Sequence, residues 1–431
     1  MAMSARQHET IYLDYAATTP VDPEVVRAMA NYLSGDGVFA NPASEHAPGQ
    51  QAAEALAVAR LRVAALVGAE PGEIVFTSGA TEANNLAIAG AARWRRRHGR
   101  GQRIVTVRTE HKSVLETCTA LAAEGFAVSY LDVGADGRLD PAALDAVLDD
   151  DTALVSVMHV NNETGVVQDL AALATRVKAV GALLHVDAVQ SIGGEPLDVR
   201  ALPVDLVSLS AHKLYGPKGV GALYIRQRPR VRLCPLLHGG GQEAGLRPGT
   251  VPVHQAVGMG VACELAAQRR ASDALWLKGL HQRLRESLAA LGGVVLNGRE
   301  DGAAHILNVS FVGIQGETLA YELQAADLAV ASGSACTAAL SNRAPSHVLQ
   351  AMGRPAALAH AAVRFSLGRS ITGHEIDTAV ERIRCRLQSL RRFSPLWRDW
   401  CRGRSLQALY ETATPLTVLE NSPGARKREI T

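Results

Sequence analysis

The stretch ALLHVDAVQSIGGEPLDVRALPVDLVSLSAHKLYGPKGVGALYIR (182–226) decides the fold. It contains three short runs, ALLHVDAV (182–189), VDLVSLS (204–210) and GALYIR (221–226), most of them apolar on both faces. Such runs suit the central strands of a sheet covered on both sides. Asp187 closes the first run, and Lys213 follows the second, 26 residues later. That interval has room for one helix and one strand. It predicts that both residues sit at the same sheet edge on neighbouring strands.

Four more runs lie upstream: EIVFTS (73–78), RIVTVRT (103–109), AVSYLDV (127–133) and ALVSVMHV (153–160). Ala/Leu/Arg-rich stretches with helical spacing alternate with the runs, as in AAEALAVARLRVAALVG (52–68). Strand–helix alternation at this interval means an α/β fold with a mostly parallel sheet and right-handed crossovers. Beyond residue 265 the texture changes to a long polar-faced helix (265–291), the run HILNVSFV (305–312) and the amphipathic segment HEIDTAVERIRCRLQSLRR (374–392). We therefore expect a large α/β domain over 23–268 and a smaller α+β domain made of 1–22 with 269–411. The polar end, 412–431, with its PGARKRE run, is expected to be a flexible tail.

The chain has 431 residues, 47% apolar and 20% charged, enough to bury a sizeable core. Its net charge of +2 argues against a dedicated nucleic-acid binder. The basic cluster RWRRRHGRGQR (93–103) reads as a solvated helix end. Six cysteines are scattered without a Cys-x-x-Cys pair, which is an intracellular pattern. With no apolar leader and no long uncharged apolar stretch, a cytoplasmic protein without membrane association is expected.

Ligands of α/β sheets sit beyond the carboxyl ends of the strands, so residues just after the apolar runs are the site candidates. TSGATEANN (77–85) offers small residues and hydroxyls before a helix, a setting that holds phosphate; Thr81 could equally be an ordinary helix cap. Asp187 at a buried strand end calls for a cationic partner, a ring nitrogen or a salt bridge, unless it is a structural cap. Lys213, held in a strand-end cleft, could form an imine with an aldehyde, or pair with a phosphate or snorkel. His111 in EHKSV (110–114) could stack on a flat ring and shuttle protons, or be structural. Asn162 in NNETG (161–165) could donate to a ring oxygen or close its turn. Together these groups ask for a flat, phosphorylated, cationic-ring aldehyde, pyridoxal 5′-phosphate.

The segments VFTSGATEANN, TEHKSVLET, HVNNETGVVQD, HVDAVQS, SAHKLYGPKGVGALY and SGSACT together resemble the cysteine desulfurases of the class V, fold type I pyridoxal-phosphate enzymes, of the housekeeping and nitrogen-fixation type. The resemblance runs from about Tyr12 to the PLW run at Trp397. It implies a seven-stranded, mostly parallel sheet and assigns roles. Lys213 would bond the cofactor and Asp187 would partner its pyridine nitrogen. Gln190 and Asn162 would face the ring's 3-oxygen side, and His111 would stack on the ring. Ala80, Thr81, Ser210 and His212 would cradle the phosphate. Thr250 would reach the phosphate of a neighbouring subunit, which implies a homodimer. Asn41 and Arg364 would grip the carboxylate of the substrate, L-cysteine.

Cys336, in ASGSACTAALSNRAPS (331–346), lies in small and polar residues without periodicity, which predicts a loop. The resemblance makes it the nucleophile. Lys213, displaced by L-cysteine, would remove the Cα proton while Asp187 keeps the ring nitrogen protonated. Cys336 would then attack the substrate sulfur, releasing L-alanine and keeping a persulfide for an iron–sulfur scaffold or another sulfur acceptor. No resident metal is implied, although Cys336 could transiently ligate a cluster on a partner. The alternatives are a selenocysteine lyase or another lyase or aminotransferase of the same fold. The chain departs from the family at Ala211, where a glycine is common, in a longer loop after Cys336, and in its tail after Trp397.

Overall fold

In the computed structural model, residues 10–332 and 345–419 are described; Cys336 lies outside them. After the short strand β1 (Ile11–Tyr12) come β2 (Ile74–Thr77), β3 (Arg103–Val107), β4 (Ala127–Leu131), β5 (Thr152–Met158), β6 (Leu183–Asp187), β7 (Leu206–Ser210) and β8 (Gly221–Ile225). Each of the seven apolar runs coincides with one of β2 to β8, β5 starting one residue before its run. They form one sheet in the order β2-β8-β7-β6-β5-β3-β4. The ladders from β4 through β3, β5 and β6 to β7 are parallel, and β8 runs antiparallel to both its neighbours. Strands β5, β7 and β8 are buried along their whole length, as apolar runs without alternation require.

Helices α1 (Pro23–Ala30), α2 (Ala47–Val67), α3 (Ala80–Arg97) and α4 (Lys112–Ala123) cover or flank this sheet. Their ends follow local chemistry. Asp22 caps α1 through the Glu24 N–H, with Pro23 at the first position. Gly68, at φ 71°, closes α2 in the left-handed conformation. One core packs α2 and Val253–Ala266 against one face; another packs the α3 face Leu86–Ala92 with Val114, Cys118 and Leu121.

Two expectations about element bounds change. The connection between β6 and β7 contains turns and no helix. The helix expected at 265–291 is Val253–Ala289, one continuous helix that passes through the 268/269 boundary and serves both cores. Within the expected tail, Thr417–Val418 pairs with a strand of the smaller sheet and Leu419 is buried.

That smaller sheet contains β9 (Val294–Leu296), β10 (Ile306–Phe311), β12 (Ala362–Ser366) and β13 (Thr417–Val418), antiparallel in the order β12-β10-β9-β13. Strand β11 (Leu328–Ala329) pairs in parallel with β1. The N-terminal residues Ile11, Leu13 and Tyr15 pack in this second core with Leu307, Val309 and Phe365. The basic cluster is taken up by the chain itself. Arg93 pairs with Glu124, Arg96 stacks on Phe126, and Arg95 donates to the Gly181 carbonyl. No described helix is long and apolar enough to cross a membrane.

Candidate active site

The last residue of β6 and the turns after β2, β3, β5 and β7 meet at a cavity of about 590 Å³, within the usual size of a small-molecule site. Asp187, Lys213, His111, Asn162, Gln190, Ser210, His212, Ala80, Thr81 and Arg364 all line it. Asn41 and Thr250 do not; both are exposed on this chain.

Asp187 is 3% exposed. Its Oδ2 accepts from Asn84 Nδ2 at 2.8 Å and its Oδ1 from the Val189 N–H at 3.1 Å. Among the described residues no cationic side chain forms an ion pair with it. A buried carboxylate of this kind is poised for a cationic hydrogen-bond donor in the cavity.

Lys213 ends a single turn, Ala211–Lys213, directly after β7. Its Nζ donates to the Ala16 and Ala17 carbonyls at 2.5 and 2.7 Å. Gln190 Nε2 donates to the same Ala16 carbonyl at 2.8 Å. His212 bonds Thr18 Oγ1 through Nδ1 at 3.2 Å. Burial, with help from the Lys213 and Lys218 charges, lowers its pKa to about 4, so the imidazole is neutral at physiological pH.

The α3 terminus is open. Gly79, at φ 152°, is the cap residue and makes no side-chain capping bond, so Thr81 is not the cap. Glu82 Oε2 takes the Ser78 N–H at 2.5 Å, and Glu82 is held in turn by Arg247. A Cβ on Gly221 would lie 2.7 Å from Gly79 Cα and 2.5 Å from the Leu209 carbonyl. Only a glycine lets β8 approach this turn so closely. The Ala211 methyl faces away from the cavity, toward Gly216, where a Cβ would come within 2.9 Å of it.

His111 caps α4 through Nδ1, which accepts the Ser113 N–H at 3.1 Å. The turn after β5 is closed by Asn161 and not by Asn162. Asn161 Oδ1 accepts from Glu163 N, Thr164 N and Thr164 Oγ1. Asn162 is thereby free to line the cavity, and its carbonyl accepts from Arg364. Arg364, 2% exposed, also pairs with Asp14 Oδ1 at 2.7 Å.

Burial pushes the Cys263 thiol up to about 12; burial and Glu110 do the same for Cys118, so neither is a thiolate at neutral pH. Sequence reasoning missed Asn84, Ser113, Asp14 and the Ala16 and Ala17 carbonyls. The available signal was Asn84 itself, a polar residue on the buried side of a helix, where an unbonded amide is costly. Backbone carbonyls leave no sequence signal.

Residues 11–378 match the family model "Aminotransferase class-V". The chain is 53% identical over 401 residues to "Cysteine desulfurase IscS" of Photorhabdus laumondii, covering 93% of this chain and 98% of that protein. It is 52% identical over the same length to the protein of that name in Escherichia coli, with equal coverage. Among solved structures, a "NifS-like protein" superposes with a TM-score of 0.81 at 37% identity, over 88% of this chain and all of that one. DndA from Streptomyces lividans superposes with a TM-score of 0.70 at 40% identity, over 82% of this chain and 99% of that one.

Proposed function

Because the chain belongs to the aminotransferase class-V family and is a cysteine desulfurase within it, we propose that it converts L-cysteine to L-alanine and passes the sulfur, as a persulfide on Cys336, to an acceptor for iron–sulfur clusters or other sulfur-containing cofactors. The observation that carries the reading is Asp187. It is a buried carboxylate with no ion-pair partner among the described residues, and it faces the cavity that also receives Lys213 and His111.

Pyridoxal 5′-phosphate fits these residues. Asp187 would hold its ring nitrogen, the uncapped N–H groups of Ala80 and Thr81 with Ser210 and His212 would hold its phosphate, and Lys213 would bond its aldehyde. When bound, the cofactor supplies an electron sink for the carbanion at the substrate Cα. Lys213 is the base that takes the Cα proton. Its contacts with the Ala16 and Ala17 carbonyls aim the amine into the cavity. His111 would cover the ring face, and Gln190 and Asn162 would face its 3-oxygen side. Arg364 grips the substrate carboxylate through its fork. The Cys336 thiolate attacks the substrate sulfur; the Cβ–S bond breaks, and protonation at Cβ completes alanine.

A homodimer is part of this reading: in the roles the resemblance gives them, Thr250 and Asn41 serve a site only if it belongs to a second copy or is covered by one. The exposed apolar side chains Leu33, Phe39, Val58 and Leu61, close to Asn41 in the chain, support such a covered face. The cytoplasm suits a thiol nucleophile.

The test is to incubate the purified protein with L-cysteine, measure alanine and map bound sulfur by peptide mass spectrometry. Stoichiometric alanine and one added sulfur on the Cys336 peptide are expected. Cys336→Ser should keep the cofactor and lose sulfur release. Pyruvate or a keto acid without persulfide would overturn the reading.

A further inference from the structure

Asn84 joins the two groups placed above on the ring nitrogen and the ring face. Its Nδ2 donates to Asp187 Oδ2 at 2.8 Å and to Ser113 Oγ at 2.9 Å. Ser113 Oγ in turn lies 2.8 Å from His111 Nδ1. Asn84 is fully buried, and among the described residues its Oδ1 has no hydrogen-bond partner. A buried orphan acceptor is unfavourable. Flipping the amide would set its oxygen against the Asp187 carboxylate, which is worse. The orientation of Asn84 is therefore dictated by Asp187.

The proton positions follow from that orientation. A carboxylate only accepts, so one Nδ2 hydrogen goes to Asp187 and the other to Ser113 Oγ. The Ser113 hydroxyl hydrogen is then directed to His111 Nδ1. The Ser113 backbone N–H already donates to the same nitrogen at 3.1 Å. Two donors on Nδ1 leave the ring proton on Nε2.

We propose that Asn84 and Ser113 are positioning residues that carry the orientation of Asp187 through to His111, holding its ring with Nδ1 as a doubly bonded acceptor and Nε2–H turned to the reaction; the proposal rests on the roles given to Asp187 and His111 above. A purely structural Asn84 would be expected to satisfy its own oxygen, which this one does not.

The experiment follows the ring nitrogens of His111 by 15N NMR in histidine-labelled, full-length protein as isolated. The resonance is assigned by its loss in His111→Gln. The wild type is expected to show a protonated Nε2 and a strongly hydrogen-bonded, unprotonated Nδ1. Ser113→Ala should move Nδ1 toward the weaker-acceptor position, and Ser113→Thr should restore it. Asn84→Ala should move it in the same direction and add nothing in the Ser113→Ala background, the non-additivity of one relay. In parallel, Ser113→Ala should lower kcat for L-cysteine by about tenfold, the size that outer hydrogen-bond partners reach elsewhere, with KM held within about twofold.

A protonated Nδ1 in the wild type, or an Nδ1 that Ser113→Ala leaves in place, overturns the relay. Independent, additive shifts remove Asn84 from it. Should Asn84→Ala fail to fold, the Ser113→Ala and Ser113→Thr pair decides. If the wild type releases no alanine from cysteine, the desulfurase reading falls, while the 15N resonances still decide the relay.

Discussion

Gln190 and Lys213 converge on one backbone oxygen, the Ala16 carbonyl, at 2.8 and 2.5 Å. The peptide that receives them belongs to the N-terminal segment, whose Leu13 and Tyr15 pack in the smaller core. Ala16 is itself tied to Ser366 Oγ at the end of β12, at 2.9 Å. The reactive amine is thus oriented by a segment anchored to the smaller sheet, although its own strand belongs to the larger one.

Replacing Lys213 tests the amine directly. Lys213→Ala removes the base and the group that bonds the cofactor, so alanine formation from L-cysteine should fall by at least about a thousandfold, within the range of lost general-base catalysis. The side chain donates to the Ala16 and Ala17 carbonyls and fills no apolar core, so far-UV circular dichroism should be unchanged. Normal turnover would remove Lys213 from its role.

The close contact between β8 and the turn before α3 makes a separate demand. Gly221→Ala places a methyl 2.5 Å from the Leu209 carbonyl and 2.7 Å from Gly79 Cα. The strand or the turn must move, and the turn presents the Ala80 and Thr81 N–H groups. We expect a loss of about 1–3 kcal/mol in urea unfolding, together with weaker retention of pyridoxal phosphate on dialysis. A variant with wild-type stability and retention would show that the turn yields without cost.

Ala211, the departure from the family beside His212, behaves differently. Its methyl is buried against Gly216 and does not line the cavity. Ala211→Gly should therefore leave kcat/KM within about twofold and cost about 0.5–1 kcal/mol through backbone entropy. A large kinetic effect in steady-state assays would place the methyl in the site after all.

The sheet was legible because most of its strands lie in short, mainly apolar runs bounded by turn residues, and the site because reactive residues follow those runs at one edge. Asp187 and Lys213 could be paired from spacing alone. What spacing could not show was how they are held. The Ala16 and Ala17 carbonyls have no side-chain signature. The Arg364–Asp14 pair joins residues 350 positions apart, which no local pattern registers. The β6–β7 connection escaped because a parallel crossover suggests a helix, and here turns suffice. Thr417–Val418 escaped because two residues added to an edge make too short a run to stand out from a polar tail.

The two cores are pinned by Asp22, and this pin should be sensitive to acid. Asp22 Oδ2 accepts from Arg369 at 2.7 Å and from Arg269 at 2.9 Å, while Oδ1 caps the Glu24 N–H. Arg369 comes from the segment after β12 and also stacks on the Tyr215 ring, 3.7 Å from its centroid and two residues from Lys213. Burial acts to raise the Asp22 carboxyl, but the Glu24 N–H and the Arg369 and Arg269 charges outweigh it and hold its pKa below the ordinary value. A carboxyl lowered in the folded state contributes stability that is fully present above its unfolded pKa, near 4. That stability is lost as pH falls through the lower folded value. Asp22→Asn keeps an oxygen for the helix cap and removes the charge. It should cost about 2 kcal/mol in urea unfolding at pH 7, the scale of hydrogen bonds to a charged group. The gap from wild type should narrow steadily once the pH drops below about 4. A gap that stays constant into the acid range would mean that Asp22 stabilises the junction by shape and not by its charge.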